Sequence, residues 1–256
     1  PGCEWVRGAF FGGALSGWEN SVKLEALRGA PTVIPDQEQQ PMTETPTTAD
    51  RDIVAALRRG LGAQLETWRS QVSVPGQRLG WKIGFNDQAS QQRLGLTHPV
   101  IGFLRRDRLL PSGGAFRVVP GAVIKVEAEV AIRIGRDLPA GGSIETAETA
   151  IAALAPAIEI VDVTRPLEGL EALLRGNLYQ AAVAIGAERP GSLPNPRQAV
   201  RAELHATGAT PRASEPQRLP QQFGELVRVV ADLLWEHGEM LRAGDWIIGG
   251  AIVEPL

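Results

Sequence analysis

Two glutamates separated by one residue lie inside an apolar segment, and a third interrupts a second such segment. Glu127 and Glu129 fall within the run VEAEVAI, residues 126–132. Because side chains alternate along a strand, both acids point to the same face. Glu159 lies in the run PAIEIV, residues 156–161, which is apolar at both parities, as in a strand covered on both faces. Buried carboxylates need a compensating charge, so this pattern indicates a hard divalent cation, Mg²⁺ or Mn²⁺.

A second interpretation is open for the first two acids. On a strand, Lys125 and Arg133 would lie on the same face as Glu127 and Glu129, and they could neutralise these acids in surface ion pairs. Charged residues are mostly exposed, so the residues alone favour this interpretation for the pair. Glu159 fits it poorly, because its apolar neighbours predict burial.

Composition excludes several other classes of protein. The chain has 256 residues, 43% hydrophobic and 21% charged, which is ordinary for a globular protein of one large or two small domains. A net charge of −3 without a basic patch argues against a nucleic-acid partner. The single cysteine, Cys3, excludes an internal disulfide and a cysteine-based zinc site. No apolar run has membrane-spanning length and no secretory-signal pattern stands at the N-terminus, so we expect a cytoplasmic protein without a membrane partner.

The two ends of the chain differ from its centre. Residues 1–41 show no clear period and finish in the polar run PDQEQQP, residues 35–41, just before Met42. We expect a poorly ordered or non-native extension over 1–41 and a catalytic domain over 42–256. The sequence stops soon after a strand-like run at 246–248, so we also expect a C-terminal truncation.

Periodicity and capping residues predict intermixed helices and strands. The N-terminal half is expected to contain a helix that Asp50 or Thr48 caps and that runs to about Gln71, a strand over 79–85, a short helix over 88–94 closed by Gly95, and a strand over 123–134. The remainder is expected to contain a helix from Ser143 through Ala155, a strand over 156–163, a helix over 167–174, a strand over 181–185, a helix over 219–240 and a strand at 246–248. Phosphate-loop, nucleophile-elbow and HExxH motifs are absent from the sequence.

Several short motifs occur in an informative order: GWKIG at 80–84, VEAE at 126–129, GRDLP at 135–139 and EIVD at 159–162. With Asn177 and the late RAGDWII, residues 242–248, they resemble the 2-keto-4-pentenoate hydratase branch of the fumarylacetoacetate hydrolase superfamily. The resemblance covers roughly residues 50–256. It favours a metal site over surface ion pairs as the interpretation of the glutamates. It implies an α+β fold, a mixed β-sheet roll or barrel with peripheral helices like the C-terminal domain of that superfamily, usually in a homo-oligomer.

The resemblance also implies a site and an activity. Glu127, Glu129 and Glu159 would bind Mg²⁺ or Mn²⁺, while Lys82 would be catalytic and would bind substrate together with Asn177. The implied enzyme is a divalent-metal-dependent hydratase that adds water to a 2-hydroxy-2,4-dienoate or 2-oxo-alkenoate in aromatic-compound catabolism. Three alternatives on this scaffold stay open: a 2-oxo-enedioate decarboxylase, a hydrolase of C–C bonds, and a catalytically silent relative that binds a 2-oxo acid or assembles with an active partner.

Two positions depart from the pattern of that branch. Val100 follows His98-Pro99 where many relatives carry an acid, and Ala251 stands where relatives often have a hydroxyl side chain. Both departures concern proton transfer and leave the metal ligands intact. His98 is a candidate replacement for the missing acid, because histidine exchanges protons readily near neutral pH. His205 and His237 are interpreted as structural.

Overall fold

The structure is a computed structural model that describes residues 4–10, 20–26, 48–190, 196, 200–205 and 210–256. The helices in these ranges are α1 (Thr48–Val72), α2 (Gln88–Leu94), α3 (Ile144–Glu148), α4 (Gly169–Arg175) and α5 (Phe223–Trp235). The strands are β1 (Glu4–Phe10), β2 (Asn20–Ala26), β3 (Arg78–Gly84), β4 (Val100–Arg105), β5 (Leu109–Leu110), β6 (Ala115–Val118), β7 (Ile124–Ile134), β8 (Ile151–Asp162), β9 (Gln180–Ile185), β10 (Arg189–Pro190), β11 (Val200–Leu204), β12 (Arg212–Ala213) and β13 (Trp246–Ile248).

A mixed sheet of eight strands organises the molecule. Seven of its strands run in the order β4-β3-β13-β7-β8-β9-β5, and β10 pairs with β8. The pairs β3–β13 and β5–β9 are parallel, whereas β7 and β8 form a long antiparallel ladder. The sheet curls into a half-barrel, so the α+β class expected from the sequence is confirmed.

The two faces of this sheet differ in composition. Large apolar side chains of β3 and β7, among them Trp81 and Ile132, join the main core with Leu65 and Trp68 of α1 and Val230 of α5. The opposite face is lined by a second, smaller apolar cluster, which contains Leu79, Leu104, Ala131, Ala155, Ala157, Val183 and Ile248. Helices α1 and α5 therefore pack against the first of these faces.

Most predicted elements are present in the structure, and α2 has the predicted signals at both of its ends. The α2 helix begins after Asp87, whose side chain accepts a hydrogen bond from Ser90 N at 2.8 Å, and it ends at Gly95 with φ of 68°. A helix through Ala155 was wrong. Ser143 caps α3, but this helix ends at Glu148, and Ile151 begins β8. Pairing of this segment with β7 outweighs the helix propensity of its alanines.

The N-terminal stretch contributes to a second sheet. Strands β1 and β2, both within residues 1–41, lie in a five-stranded sheet of order β12-β11-β2-β1-β6. The boundary near Met42 and the nature of the first 41 residues stay predictions. The helices that the structure describes include none with both the length and the apolar character needed to cross a membrane.

Candidate metal centre

The ladder between β7 and β8 brings the three glutamates together. Glu127 lies directly opposite Glu159, and Glu129 lies opposite Ala157, two residues along on the same face. One carboxylate oxygen from each glutamate lies within 4.8 Å of the others. The convergence predicted from the spacing of these residues is therefore present in the fold.

Burial leaves two of the carboxylate oxygens without a hydrogen-bond partner. Glu129 and Glu159 are 0% exposed, and Glu127 is half-buried. Glu129 Oε2 accepts a hydrogen bond from Gly250 N at 2.7 Å. Within the described part of the chain, Glu129 Oε1 and Glu159 Oε2 are buried and have no partner. Such oxygens are costly to leave unsatisfied, so this donor set fits a bound Mg²⁺ or Mn²⁺.

The electrostatics of the cluster support the same conclusion. Burial, followed by the charges of Glu159 and Glu127, raises the pKa of Glu129 well above its ordinary value. Burial also raises the pKa of Glu159 to about 7, against the opposing effect of the Lys82 ammonium. Crowded carboxylates disfavour one another's charge, and a divalent cation at the same place would reverse that balance.

Surface ion pairs do not explain these acids. Arg133 forms an ion pair with Glu188 at 2.8 Å, and Lys125 is exposed. Because Glu129 is buried, the surface interpretation is wrong for it, and the burial predicted for Glu159 is present. The cation that reaches the cluster is Lys82.

Lys82 approaches the glutamates from strand β3, which β13 separates from β7. It is 4% exposed, and its Nζ donates hydrogen bonds to Glu159 Oε1 at 2.5 Å and to the carbonyl of Leu178 at 3.2 Å. Lys82 lies in register with Ile248 of β13 on one side and with Gly102 of β4 on the other. The strand order therefore places a positive charge beside the carboxylates.

Asn177 lies near Lys82, but its amide is used by the backbone. Its Oδ1 accepts from Phe103 N at 2.7 Å, and its Nδ2 donates to Phe103 O at 2.9 Å. Both polar groups of the side chain thus tie the turn after α4 to strand β4. Its assignment as a substrate ligand stays a prediction, and this contact pattern favours a role in positioning.

His98 lies elsewhere. It lines a cavity of about 610 Å³ bordered by α1 and the end of α5, with Leu57, Leu61, Val100 and His237 among its walls. None of the three glutamates and no atom of Lys82 lines this cavity. Its Nδ1 lies 2.7 Å from Pro99 O. The structure therefore does not bring His98 to the acidic cluster, and its catalytic assignment stays a prediction.

Backbone groups complete the centre, and the sequence analysis missed them. Gly250, which binds Glu129, has φ of 88°, and the preceding Gly249 accepts a hydrogen bond from Asn86 Nδ2 at 2.6 Å. The Gly-Gly pair after β13 was the available signal, because a left-handed residue beside a strand often marks a close backbone approach. The carbonyl of Leu178 had no sequence signal.

Comparisons with known proteins find similar sequences and a similar fold. The chain is 41% identical over 91 residues to the TodF product hydratase of Pseudomonas putida, covering 34% of each protein. It is 35% identical over 130 residues to 2-keto-4-pentenoate hydratase 1 of Dechloromonas aromatica, covering 48% of this chain and 44% of the relative. A 4-oxalocrotonate decarboxylase of a Pseudomonas species is 26% identical over 180 residues, 68% of each protein. The chain thus spans about a third to two thirds of the length of these curated relatives.

Among solved structures, 4-oxalocrotonate decarboxylase from Pseudomonas putida G7, in complex with magnesium and adipate, has a TM-score of 0.65 at 19% identity. That match covers 83% of this chain and 91% of the decarboxylase. No protein-family model matches the chain. The resemblance to the 2-keto-4-pentenoate hydratase branch, seen first in short motifs, is confirmed by these relatives and by the shared fold.

Proposed function

We propose that the protein is a divalent-metal-dependent hydratase that adds water to a 2-hydroxy-2,4-dienoate or the corresponding 2-oxo-alkenoate. One observation carries the proposal: Glu127, Glu129 and Glu159 converge within 4.8 Å, and two of their buried oxygens lack a partner in the described structure. The hydratase names of relatives that are 41% and 35% identical over their matched segments support this choice of reaction.

The three glutamates would hold Mg²⁺ or Mn²⁺. When bound, this ion would supply Lewis-acid stabilisation of negative charge on the substrate's 2-oxygen. Glu129 is held in place for this role by the Gly250 amide, which fixes one of its oxygens. Glu127 is half-buried and therefore lies towards the side from which a ligand can enter.

Lys82 would supply the second positive charge of the site. Its ammonium lies beside Glu159, where it can stabilise the carboxylate or the enolate of the substrate. The dienol would ketonise as its terminal carbon gains a proton and its 2-hydroxyl loses one. Water would then add across the remaining double bond, with its oxygen at the fourth carbon and a proton at the third. The apolar face around Ala157, Val183 and Ile248 would exclude other water and strengthen these electrostatic contacts.

The experiment is a direct assay with one specific substrate. The protein would be mixed with Mg²⁺ and 2-hydroxypenta-2,4-dienoate, and the dienol absorbance would be followed together with formation of 4-hydroxy-2-oxopentanoate. We expect turnover that stops on chelation and is lost in Glu159→Gln. Absence of turnover by metal-loaded, folded protein would contradict the proposal.

A decarboxylase is the second candidate, because the 4-oxalocrotonate decarboxylase relative aligns over 180 residues, a longer stretch than the hydratases do. Incubation with a 2-oxo-enedioate separates the two reactions, since only decarboxylation releases carbon dioxide. A place in aromatic-compound catabolism, a cytoplasmic location and assembly as a homo-oligomer belong to the same proposal. Analytical ultracentrifugation would measure the assembly.

A further inference from the structure

The turn after α4 has an unusual backbone. Asn177, Leu178 and Tyr179 have φ values of 51°, 52° and 62°. The left-handed region costs roughly 1–2 kcal/mol for each ordinary L-residue, and asparagine tolerates it better than most. Strained backbone of this kind persists only where surrounding contacts impose it, and it clusters at functional sites. Here the middle residue of the turn supplies the carbonyl that accepts a hydrogen bond from Lys82 Nζ.

Side chains at both ends of the turn hold it in this shape. At the first position, the Asn177 amide makes the two hydrogen bonds to the backbone of Phe103. At the third position, the Tyr179 hydroxyl accepts from Leu167 N at 2.8 Å. The position of the Leu178 carbonyl is therefore determined by groups outside the turn itself.

Two glycines allow the turn to pack directly against the lysine. Gly102 lies opposite Lys82 in the ladder, and a Cβ there would lie 2.8 Å from Lys82 Cγ and 2.9 Å from Asn177 Oδ1. A Cβ on Gly84 would lie 2.9 Å from Leu178 Cδ1. At Gly102, no side chain of β4 lies between the Asn177 amide and the aliphatic stem of Lys82. A shift of either group therefore changes the packing of the other.

We propose that Asn177 is a positioning residue for Lys82. It anchors the left-handed turn that directs the Leu178 carbonyl at the ammonium, so Lys82 keeps one fixed acceptor when a cation occupies the Glu159 carboxylate. Asn177 acts through the lysine and does not contact the substrate. This inference rests on the proposed function, because a positioned ammonium matters only if the cluster binds a metal and an anionic ligand.

A double-mutant cycle tests this role without relying on turnover. The variants are Asn177→Gly, which keeps left-handed freedom but lacks the amide, Lys82→Met, and the two combined. Calorimetry would measure the affinity of each Mn²⁺-loaded protein for oxalate, a small dianion that can chelate the ion. We expect Asn177→Gly to weaken oxalate binding about tenfold, as for loss of a hydrogen bond to a charged group. The double variant should then bind oxalate no more weakly than Lys82→Met alone.

Additive losses would overturn the inference, since they would mean that Asn177 acts independently of Lys82. The Mn²⁺ affinity and the thermal unfolding midpoint of each variant serve as controls for metal loading and folding. If Asn177→Gly does not fold, Asn177→Asp replaces it, because this variant keeps the acceptor for Phe103 N. If the losses in oxalate affinity are non-additive but the protein does not hydrate the dienoate, only the proposed hydratase activity is contradicted. Turnover of the dienoate with an additive cycle would contradict the positioning role alone. A metal-loaded wild type that does not bind oxalate would overturn the positioning role, since Lys82 would then not hold an anion at the metal.

Discussion

At the scale of single residues, the site combines three acids and one lysine with different degrees of burial. Glu129 and Glu159 are fully buried, Lys82 is nearly so, and Glu127 is half-buried. Only Glu159 has a direct ion pair with Lys82, while Glu129 depends on a backbone amide. The consequences of substitution should therefore differ from one acid to the next.

Glu129→Gln should separate metal binding from stability. The amide can still accept from Gly250 N, and it removes a carboxylate whose ionisation is opposed by burial and by its neighbours. We expect the metal-free variant to be more stable than the wild type near pH 8, because the wild type must either bury this charge or hold a proton on it. Mn²⁺ binding should be lost. Denaturant unfolding and calorimetry measure these effects, and a strongly destabilised metal-free variant would favour a structural role for Glu129.

Lys82→Met should separate catalysis from metal binding. The unbranched apolar side chain fills the same space beside Gly102 and removes the charge near Glu159. We expect kcat/KM for the dienoate to fall by about a hundredfold or more, as for other preorganised charges in desolvated sites. Mn²⁺ affinity should be largely retained. Loss of metal binding together with activity would mean that Lys82 organises the carboxylates rather than acting on the substrate.

At the scale of elements, two adjacent antiparallel strands account for the acidic cluster. The alternation within 126–132 and the apolar flanks of Glu159 were enough to predict which residues share a face, because a strand has a fixed period. They could not predict that β3 lies on the β7 side of β8, separated from it by the two strands β13 and β7. That order depends on long-range pairing, and it is what brings Lys82 to Glu159.

Local conformation was the least predictable feature. The sequence around Asn177 carries no glycine at 177–179, yet all three residues adopt the left-handed region because contacts with Phe103 and Leu167 impose it. The misassigned segment 151–155 has the same kind of cause, since its alanine-rich sequence suits a helix and pairing with β7 makes it a strand. Capped elements such as α2 were predicted well because their signals are local.

Gly102→Ala tests whether strand β4 must leave space for the lysine. The new methyl group would meet both Lys82 Cγ and Asn177 Oδ1 at distances shorter than normal van der Waals contact, so one of them must shift. We expect the free energy of unfolding to fall by roughly 1–3 kcal/mol, as for other overpacked sites, and kcat to fall more than Mn²⁺ affinity. Gly62→Ala is the control, because an added Cβ there would meet nothing closer than His237 Nδ1 at 4.0 Å. Unchanged kcat in Gly102→Ala would show that Lys82 does not need this packing.

At the scale of the whole molecule, the raised pKa values predict how stability depends on pH without metal. The pKa of Glu159 rises from 4.5 to about 7 on folding, so between these values the folded protein holds a proton that the unfolded chain has released. Stability of the metal-free protein should therefore fall as pH rises from about 4.5 to about 7. Saturating Mg²⁺ should oppose the fall, because the ion binds the ionised carboxylates of the folded state. Chemical denaturation at several pH values measures this, with Glu159→Gln as the control with a smaller slope. A steady rise in stability across the window would contradict the burial of these acids.

The central claim is that the glutamates of β7 and β8 form a divalent-metal site, and a Mn²⁺ titration tests it most directly. Free Mn²⁺ would be measured by electron paramagnetic resonance in the presence of the wild type, Glu159→Gln and the exposed-site control Glu188→Gln. We predict one tightly bound ion per chain in the wild type and in the control, and loss of that ion in Glu159→Gln. Equal binding by Glu159→Gln and the wild type, or no stoichiometric binding by folded wild-type protein, would contradict the account.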